Sequence, residues 1–246
     1  MKDNNSVCFA AVGDLHFTEA SAGTLRHFFA QACEAADALL LCGDLTDYGT
    51  PKEAKVLADE LSVVSVPMVA VLGNHDYECN AADEVRHTLQ RAGVQVLDGE
   101  AVEVHGVGIA GVKGFCGGFG RGSLGGWGEH AIKLFVNEAI QEALKLESAL
   151  AKLRTPRRIA MLHYAPVVAT VAGEPPEIFP FLGSSRLEDP LLRHPVTAVV
   201  HGHAHRGCLE GLTVNGIPVY NVAKPLLQRA DPQRPGFRLL DIPREG

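Results

Sequence analysis

No apolar run in this chain approaches the roughly 20 residues that a helix needs to cross a bilayer. There is no basic excess either. Acidic residues outnumber lysine and arginine by 29 to 22 and the formal charge is −7, so the positive stripe of a general nucleic-acid surface is missing. The only basic cluster, Lys152, Arg154, Arg157 and Arg158, falls where a long helix is predicted to end and complements its dipole. The six cysteines (Cys8, Cys33, Cys42, Cys79, Cys116, Cys208) share no zinc spacing. Cys8, Cys33 and Cys42 lie in apolar segments as small core residues do, and a disulfide framework would be unusual in a chain able to fill its own core. Residues 1–6 are polar, and the apolar run 7–12 is too short for a signal-peptide core and lacks a cleavage pattern. No internal repeat or low-complexity tract occurs. These absences predict a soluble, cytoplasmic protein.

What is present is a repeated pattern. Val69-Ala70-Val71-Leu72 stops at Gly73 and is followed at once by Asn74-His75-Asp76. An apolar strand ending in a tight polar turn recurs at Gly13-Asp14-Leu15-His16, Gly43-Asp44, Leu162-His163 and His201-Gly202-His203-Ala204-His205. In open α/β sheets such turns converge on one crevice. Because the polar ends run from Asp14 to His205, one site needs nearly the whole chain, which predicts a single domain over 1–246. An apolar fraction of 46% is enough for a real core.

In order, strands are predicted at 7–13, 38–42, 66–72, 158–163 and 196–201. Helices are predicted at 21–36, from Pro51 behind a Thr50/Glu53 capping box, at 83–92 stopped by Gly93, and at 129–153. The long helix 129–153 places Ile132, Phe135, Val136, Ala139, Ile140, Ala143, Leu144, Leu146 and Leu150 on one apolar face. Short segments 94–97, 101–105 and 107–112 predict a hairpin-like second sheet. Residues 113–128 hold eight glycines and read as a long mobile loop, and 168–195 as a Pro- and Gly-containing insertion. A hairpin around Asn215-Gly216 and a closing strand at 237–242 complete two stacked sheets with helices outside.

Collected, the strand-end groups are Asp14, His16, Asp44, Asn74, His163, His203 and His205. Imidazole with carboxylate suits Mn, Fe, Zn or Co rather than calcium. Seven ligands exceed one tetrahedral site and suit two divalent ions sharing a carboxylate. With only two carboxylates the loaded site stays positive and attracts a phosphate. His27, His87, His105, His130 and His194 read as solvated, and His201 as a buried residue or one that supports the ligands.

Asp14-x-His16, Gly43-Asp44, Gly73-Asn74-His75-Asp76, His163 and Gly202-His203-x-His205 resemble, in order, the five signature blocks of the calcineurin-like metallophosphoesterases. The resemblance implies a four-layer α/β/β/α sandwich of two mixed sheets. It implies one metal at Asp14, His16, Asp44 and His205, and another at Asp44, Asn74, His163 and His203, with Asp44 as the bridge. His75 would then protonate the leaving oxygen or stabilise the transition state. Asp47 would orient His75, and Asp76 competes with Asp47 for that role. The implied reaction is hydrolysis of a phosphomonoester or phosphodiester by a hydroxide held at the metals, with a small-molecule or nucleotide substrate favoured. Tyr48 stands where protein Ser/Thr phosphatases of the family carry a phosphate-clamping arginine, and no DNA channel is evident. A catalytically silent, protein-binding scaffold on the same fold, or a nuclease, is the alternative. In the insertion, Phe179, Phe181 and Leu182 either pack an organic group or pin the loop to the core. Ser184, Ser185 and Arg186 either hold phosphate oxygens or pair on the surface.

The cysteine spacing carries its own expectation: titration of the denatured, unreduced protein should find six thiols. A smaller number, restored by reduction, would indicate disulfides and an oxidising compartment.

Overall fold

A computed structural model describes residues 5–244; the first four residues of the polar start and the last two residues lie outside it. Through the first hundred residues, short continuous apolar runs alternate with stretches of helical spacing. The strands β1 (Ser6–Val12), β2 (Ala38–Cys42), β3 (Met68–Val71) and β4 (Val94–Val96) are separated by α1 (Arg26–Ala35), α2 (Pro51–Leu61) and α3 (Ala82–Arg91). β5 (Glu100–Val104) and β6 (Val107–Gly111) precede α4 (His130–Lys152) and β7 (Arg157–Met161). Then come α5 (Phe179–Leu182), α6 (Glu188–Arg193), β8 (Ala198–His201), β9 (Glu210–Leu212), β10 (Pro218–Asn221), α7 (Lys224–Ala230) and β11 (Arg238–Pro243).

The strands form two mixed sheets. One has the order β11-β1-β2-β3-β4, parallel except for β11. The other has the order β5-β6-β7-β8-β10-β9, parallel in the middle with antiparallel strands β5 and β9 at its edges. Strand side chains alternate between faces, and the core follows that alternation. Val7, Phe9 and Ala11 of β1 face the second sheet, meeting Ile109, Ile159 and Val200. Cys8, Ala10 and Val12 face outward onto Phe29, Leu57 and Leu89 of α1, α2 and α3. On the far side, Ala110, Ala160 and Val199 pack beneath Leu146 and Leu150 of α4 and Leu191 of α6. Helices, sheet, sheet and helices make the four layers. Among the described residues no helix is long and apolar enough to cross a membrane.

Local chemistry explains the element ends. Thr50 and Glu53 form the capping box at α2, each side chain taking the other residue's backbone N–H. Arg154 donates to the carbonyls of Ala151 and Leu153, which caps the end of α4 as the dipole reading requires.

Four readings are corrected. α1 begins at Arg26 rather than 21, because 19–21 form a separate 3₁₀ turn and Gly23 turns the chain with φ +79°. β4 is not part of a hairpin-like second sheet; α3 returns the chain so that β4 pairs parallel with β3 in the first. The insertion 168–195 is built largely of short helical turns, and α7 lies where no helix was predicted. The buried stripe of α4 contains Glu142 and Ala149, while Ile140 and Leu144 point to solvent. Glu142 escapes an apolar rule because it is fully engaged. It accepts from the Gly114 amide at 2.8 Å and from Lys145 Nζ at 2.7 Å, and Lys145 also reaches Asp98.

Leu146 is fully buried and Leu144 is 50% exposed. Leu146→Ala should therefore cost about 2–5 kcal/mol. Leu144→Ala should stay within about 0.5 kcal/mol, both read by denaturant unfolding.

Candidate metal centre

The parallel strands β1, β2, β3, β7 and β8 all point their carboxyl ends the same way, so their turns meet in one place. The turns are interlocked through backbone bonds. The Asp14 amide donates to Gly43 O, the His16 amide to Asp44 O, and the Gly202 amide to His163 O. Asp14, His16, Asp44 and His203 all lie in the left-handed region, with φ between 48° and 70°. Each such non-glycine residue costs on the order of 1 kcal/mol or more and persists only where its surroundings hold it. Gly73 is required by close approach: a Cβ there would come within 2.2 Å of both the amide nitrogen and Oδ1 of Asp44.

Three triads of donor atoms result, each within 4.8 Å: Asp14, His16 and His205; Asp44, His163 and His203; and His16, Asp44 and His75. Asn74 joins through Oδ1, 3.0 Å from His163 Nε2. The structure thus brings together all seven predicted ligands and His75.

Hydrogen bonds decide which face each ring presents. A carbonyl can only accept, so the nitrogen facing it carries the proton. His163 Nδ1 donates to Cys42 O at 3.0 Å, and His75 Nδ1 to Asp47 O at 2.7 Å. His203 Nε2 donates to Phe181 O at 3.1 Å, and His16 Nδ1 to the Asp47 carboxylate at 3.1 Å. In the neutral rings the remaining nitrogen is the one left with a lone pair. His16 Nε2 is buried with no hydrogen-bond partner, 3.9 Å from Asp44 Oδ2. His163 Nε2 meets two oxygens, Asp44 Oδ1 at 3.3 Å and Asn74 Oδ1 at 3.0 Å. An orphaned imidazole nitrogen among carboxylates is the environment a divalent cation satisfies, and the mixed nitrogen and oxygen donors suit a transition metal.

The charges are strongly coupled. Burial works to raise the Asp44 pKa, but the His163 charge and hydrogen bond and the His75 amide outweigh it and hold the carboxyl well below the usual range. Burial pulls His163 down, yet the Asp44 carboxylate drives it up to about 9. Burial and the neighbouring His163 push His203 down to about 4. The Asp14 carboxylate, 3.0 Å from His205 Nε2, raises His205.

The supporting residues sort differently from expectation. The Asp47 carboxylate lies 3.1 Å from His16 Nδ1 and 3.7 Å from His75 Nδ1, so its backbone carbonyl makes the shorter contact to His75. Asp76 is fully buried, and its carboxylate is taken up by the backbone of the turns. It accepts from the amides of Leu45, Thr46 and Gly73 and from Thr46 Oγ1, clamping the two turns that carry Asp44 and Asn74. His201 is buried, bonded to Thr170 Oγ1 at 2.8 Å. Ser184, Ser185 and Arg186 are not brought to the cluster by their hydrogen bonds. Ser184 Oγ accepts the Arg186 amide, Ser185 Oγ accepts the Gly120 amide, and Arg186 donates to Leu124 O. Sequence reasoning missed the Phe181 carbonyl and the Thr170 hydroxyl, and only proximity in space identifies either.

The sequence pattern of the calcineurin-like phosphoesterases matches residues 9–207. No curated protein sequence matches the chain. Among solved structures, the phosphopantetheinyl hydrolase of Mycobacterium tuberculosis is similar over 97% of both chains, with TM-score 0.67 and 14% identity. A purple acid phosphatase from yellow lupin is similar over 82% of this chain and 38% of its own, with TM-score 0.53 and 14% identity. GAP50, the anchor in the inner membrane complex of Plasmodium, is similar over 90% of this chain and 73% of its own, with TM-score 0.50 and 14% identity. At these identities the likeness is one of fold.

Burial lowers the His201 pKa from 6.5 to about 4. The folded state therefore binds fewer protons than the unfolded chain between these values. His201's contribution to stability is full above pH 6.5 and is lost as pH falls toward 4. Melting temperatures of metal-free wild type and His201→Gln, measured against pH, should differ in slope within that window and run parallel above it.

Proposed function

The chain belongs to the calcineurin-like phosphoesterases, and from that premise we propose that it is a dinuclear-metal-dependent hydrolase of a small phosphomonoester or phosphodiester. The orphaned Nε2 of His16, beside the buried Asp44 carboxylate, is the observation that carries this reading. Asp14, His16, Asp44 and His205 would hold one divalent ion, and Asp44, Asn74, His163 and His203 the second, with Asp44 shared. When bound, the pair supplies Lewis-acid polarisation of the phosphoryl group and stabilises charge on the attacking and leaving oxygens.

The remaining steps belong to side chains. His75, whose side chain is 39% exposed, has its Nδ1 proton fixed on Asp47 O. In its imidazolium form the ring carries a second proton on Nε2, which it would give to the leaving oxygen, an exchange an imidazole makes efficiently near neutral pH. The Asp47 carboxylate, 3.7 Å from Nδ1, stabilises the ring while it is charged. It also fixes His16, which couples the proton donor to a metal ligand through one residue. Tyr48 and Phe181 are about 60% exposed, one adjoining Asp47 and the other meeting His203 through its carbonyl. We assign these rings to the organic part of the substrate. With Ser184, Ser185 and Arg186 engaged elsewhere, phosphate recognition falls to the metal centre. Cysteine spacing favours the cytoplasm as the working compartment.

A silent scaffold is the second reading, but a scaffold has no use for His75 beside a full ligand set. Hydrolysis of chromogenic phosphomonoesters and phosphodiesters and of cyclic nucleotides, with added manganese, separates the two. Asp44→Asn should lower occupancy of both metals together with activity. His75→Ala should keep its metals and lose about 10²- to 10⁴-fold in kcat, less for good leaving groups. A metal-loaded wild type without hydrolysis on the whole panel would favour the scaffold, and metal loss in His75→Ala would make His75 a ligand.

A further inference from the structure

The two long connections that flank the centre are joined. After His163 the chain at Ala165 pairs with the insertion: the Ala165 amide donates to Leu182 O at 3.0 Å, and the Ser184 amide to Ala165 O at 3.1 Å. The insertion in turn pairs with the glycine-rich segment, the Gly118 amide on Gly183 O at 2.9 Å and the Ser185 amide on Gly118 O at 3.1 Å. Gly117 adds a bond to Pro180 O at 2.7 Å. Leu182 packs with Ala165, Val171 and Ala204, one residue from His203. Segment 179–185 is therefore a strap bolted on both sides, and Gly183 permits it. A Cβ at Gly183 would stand 2.0 Å from Ala165 O and under 3.0 Å from the Ala165 carbon and nitrogen.

The strap delivers one group to the centre, the Phe181 carbonyl, 3.1 Å from His203 Nε2. The His203 ring is already flanked by Tyr164 and His163, with centroids at 4.5 and 4.8 Å. Such tilted ring contacts confine the plane of a ring but do not say which nitrogen points where. A carbonyl does, because it accepts a proton that only one nitrogen then carries. We propose that the Phe181 carbonyl, held in place by the Gly183 strap, is the positioning group that keeps the proton of His203 on Nε2 and turns the Nδ1 lone pair to the metal. This inference rests on His203 being a ligand, as proposed above. The insertion is then a working part of the metal centre rather than only a cover over it, and the contact belongs to the backbone, so the side chain at 181 is free to serve the substrate.

Loss of such an outer partner weakens metal binding by about 10- to 100-fold. Calorimetric titration of the apoprotein with manganese should show that weakening at one of two sites in Gly183→Ala. Phe181→Ala, which removes the ring and keeps the carbonyl, should bind as wild type does. In the His203→Ala background the Gly183→Ala penalty should vanish, since a group acting through His203 has nothing left to act on. A folded Gly183→Ala that binds as wild type, or a penalty that persists in the double variant, would overturn the inference. His203→Ala binding as wild type would instead overturn the ligand reading, and the inference with it. Should Gly183→Ala fail to fold, nitrogen NMR of zinc-loaded wild type decides: the expected state is Nε2 protonated and Nδ1 metal-bound, and the reverse refutes the assignment.

Discussion

Asp44 keeps a carboxylate almost wholly out of water where three strands end, and the neighbouring turns are shaped by the need to compensate it. A buried charge survives only among opposite charges and well-aimed N–H groups. The His75 amide at 2.9 Å and the His163 ring at 3.3 Å supply part of this. What is left over is the buried Nε2 of His16, which has no hydrogen-bond partner and stands 3.9 Å from Asp44 Oδ2. Asp76 stands behind the two turns and fastens them together, so the position of Asp44 relative to Asn74 is set by a second buried carboxylate. Its own burial and the nearby Asp44 charge raise its pKa, although three amides and a hydroxyl donate to it.

The two-sheet architecture makes that concentration possible. Parallel central strands in both sheets bring distant chain segments to one end of the sandwich, and the apolar layer between the sheets fixes their spacing. The cost appears in the backbone. Left-handed conformations at Asp14, His16, Asp44 and His203 are disfavoured locally, and interlocking amide bonds between the turns hold them. Strain of this kind, spread over four positions of the cluster, is what a preorganised site requires, and the donor atoms converge without any bound group.

Support for the centre comes from well outside the signature turns. Asp47 serves His16 with its carboxylate and His75 with its carbonyl. Glu142, inside an otherwise apolar helix face, anchors Gly114 at the start of the glycine-rich segment, and Lys113 O takes the amides of His163 and Tyr164. The segment 113–128, read as a loose loop, is tied at one end to a ligand strand and along its length to the insertion.

The strand-and-turn pattern determined a great deal alone. The short continuous apolar runs at 38–42 and 68–71, the Thr50 cap and the glycine-polar turns are short-range features, each a local consequence of burial, capping or φ preference. They were enough to read the α/β class, the two stacked sheets and the side chains that the triads and Asn74 bring together, though not the Phe181 carbonyl beside them. The resemblance of the turns added the layer order. Other features were settled only by packing. β4 joined the first sheet because α3 returned it there, and Glu142 entered the core because its partners are a loop amide and a lysine one turn away. The partner of Arg186, the carbonyl of Leu124, is 62 residues away in the chain. The proton positions of the imidazoles lie furthest from the sequence. His203 and Asp14 are 189 residues apart, yet the His203 amide holds the Asp14 carboxylate at 3.0 Å, while a carbonyl 22 residues back holds the ring. No local period encodes such pairings, because a backbone carbonyl is present at every residue and only the folded chain selects the one that is near.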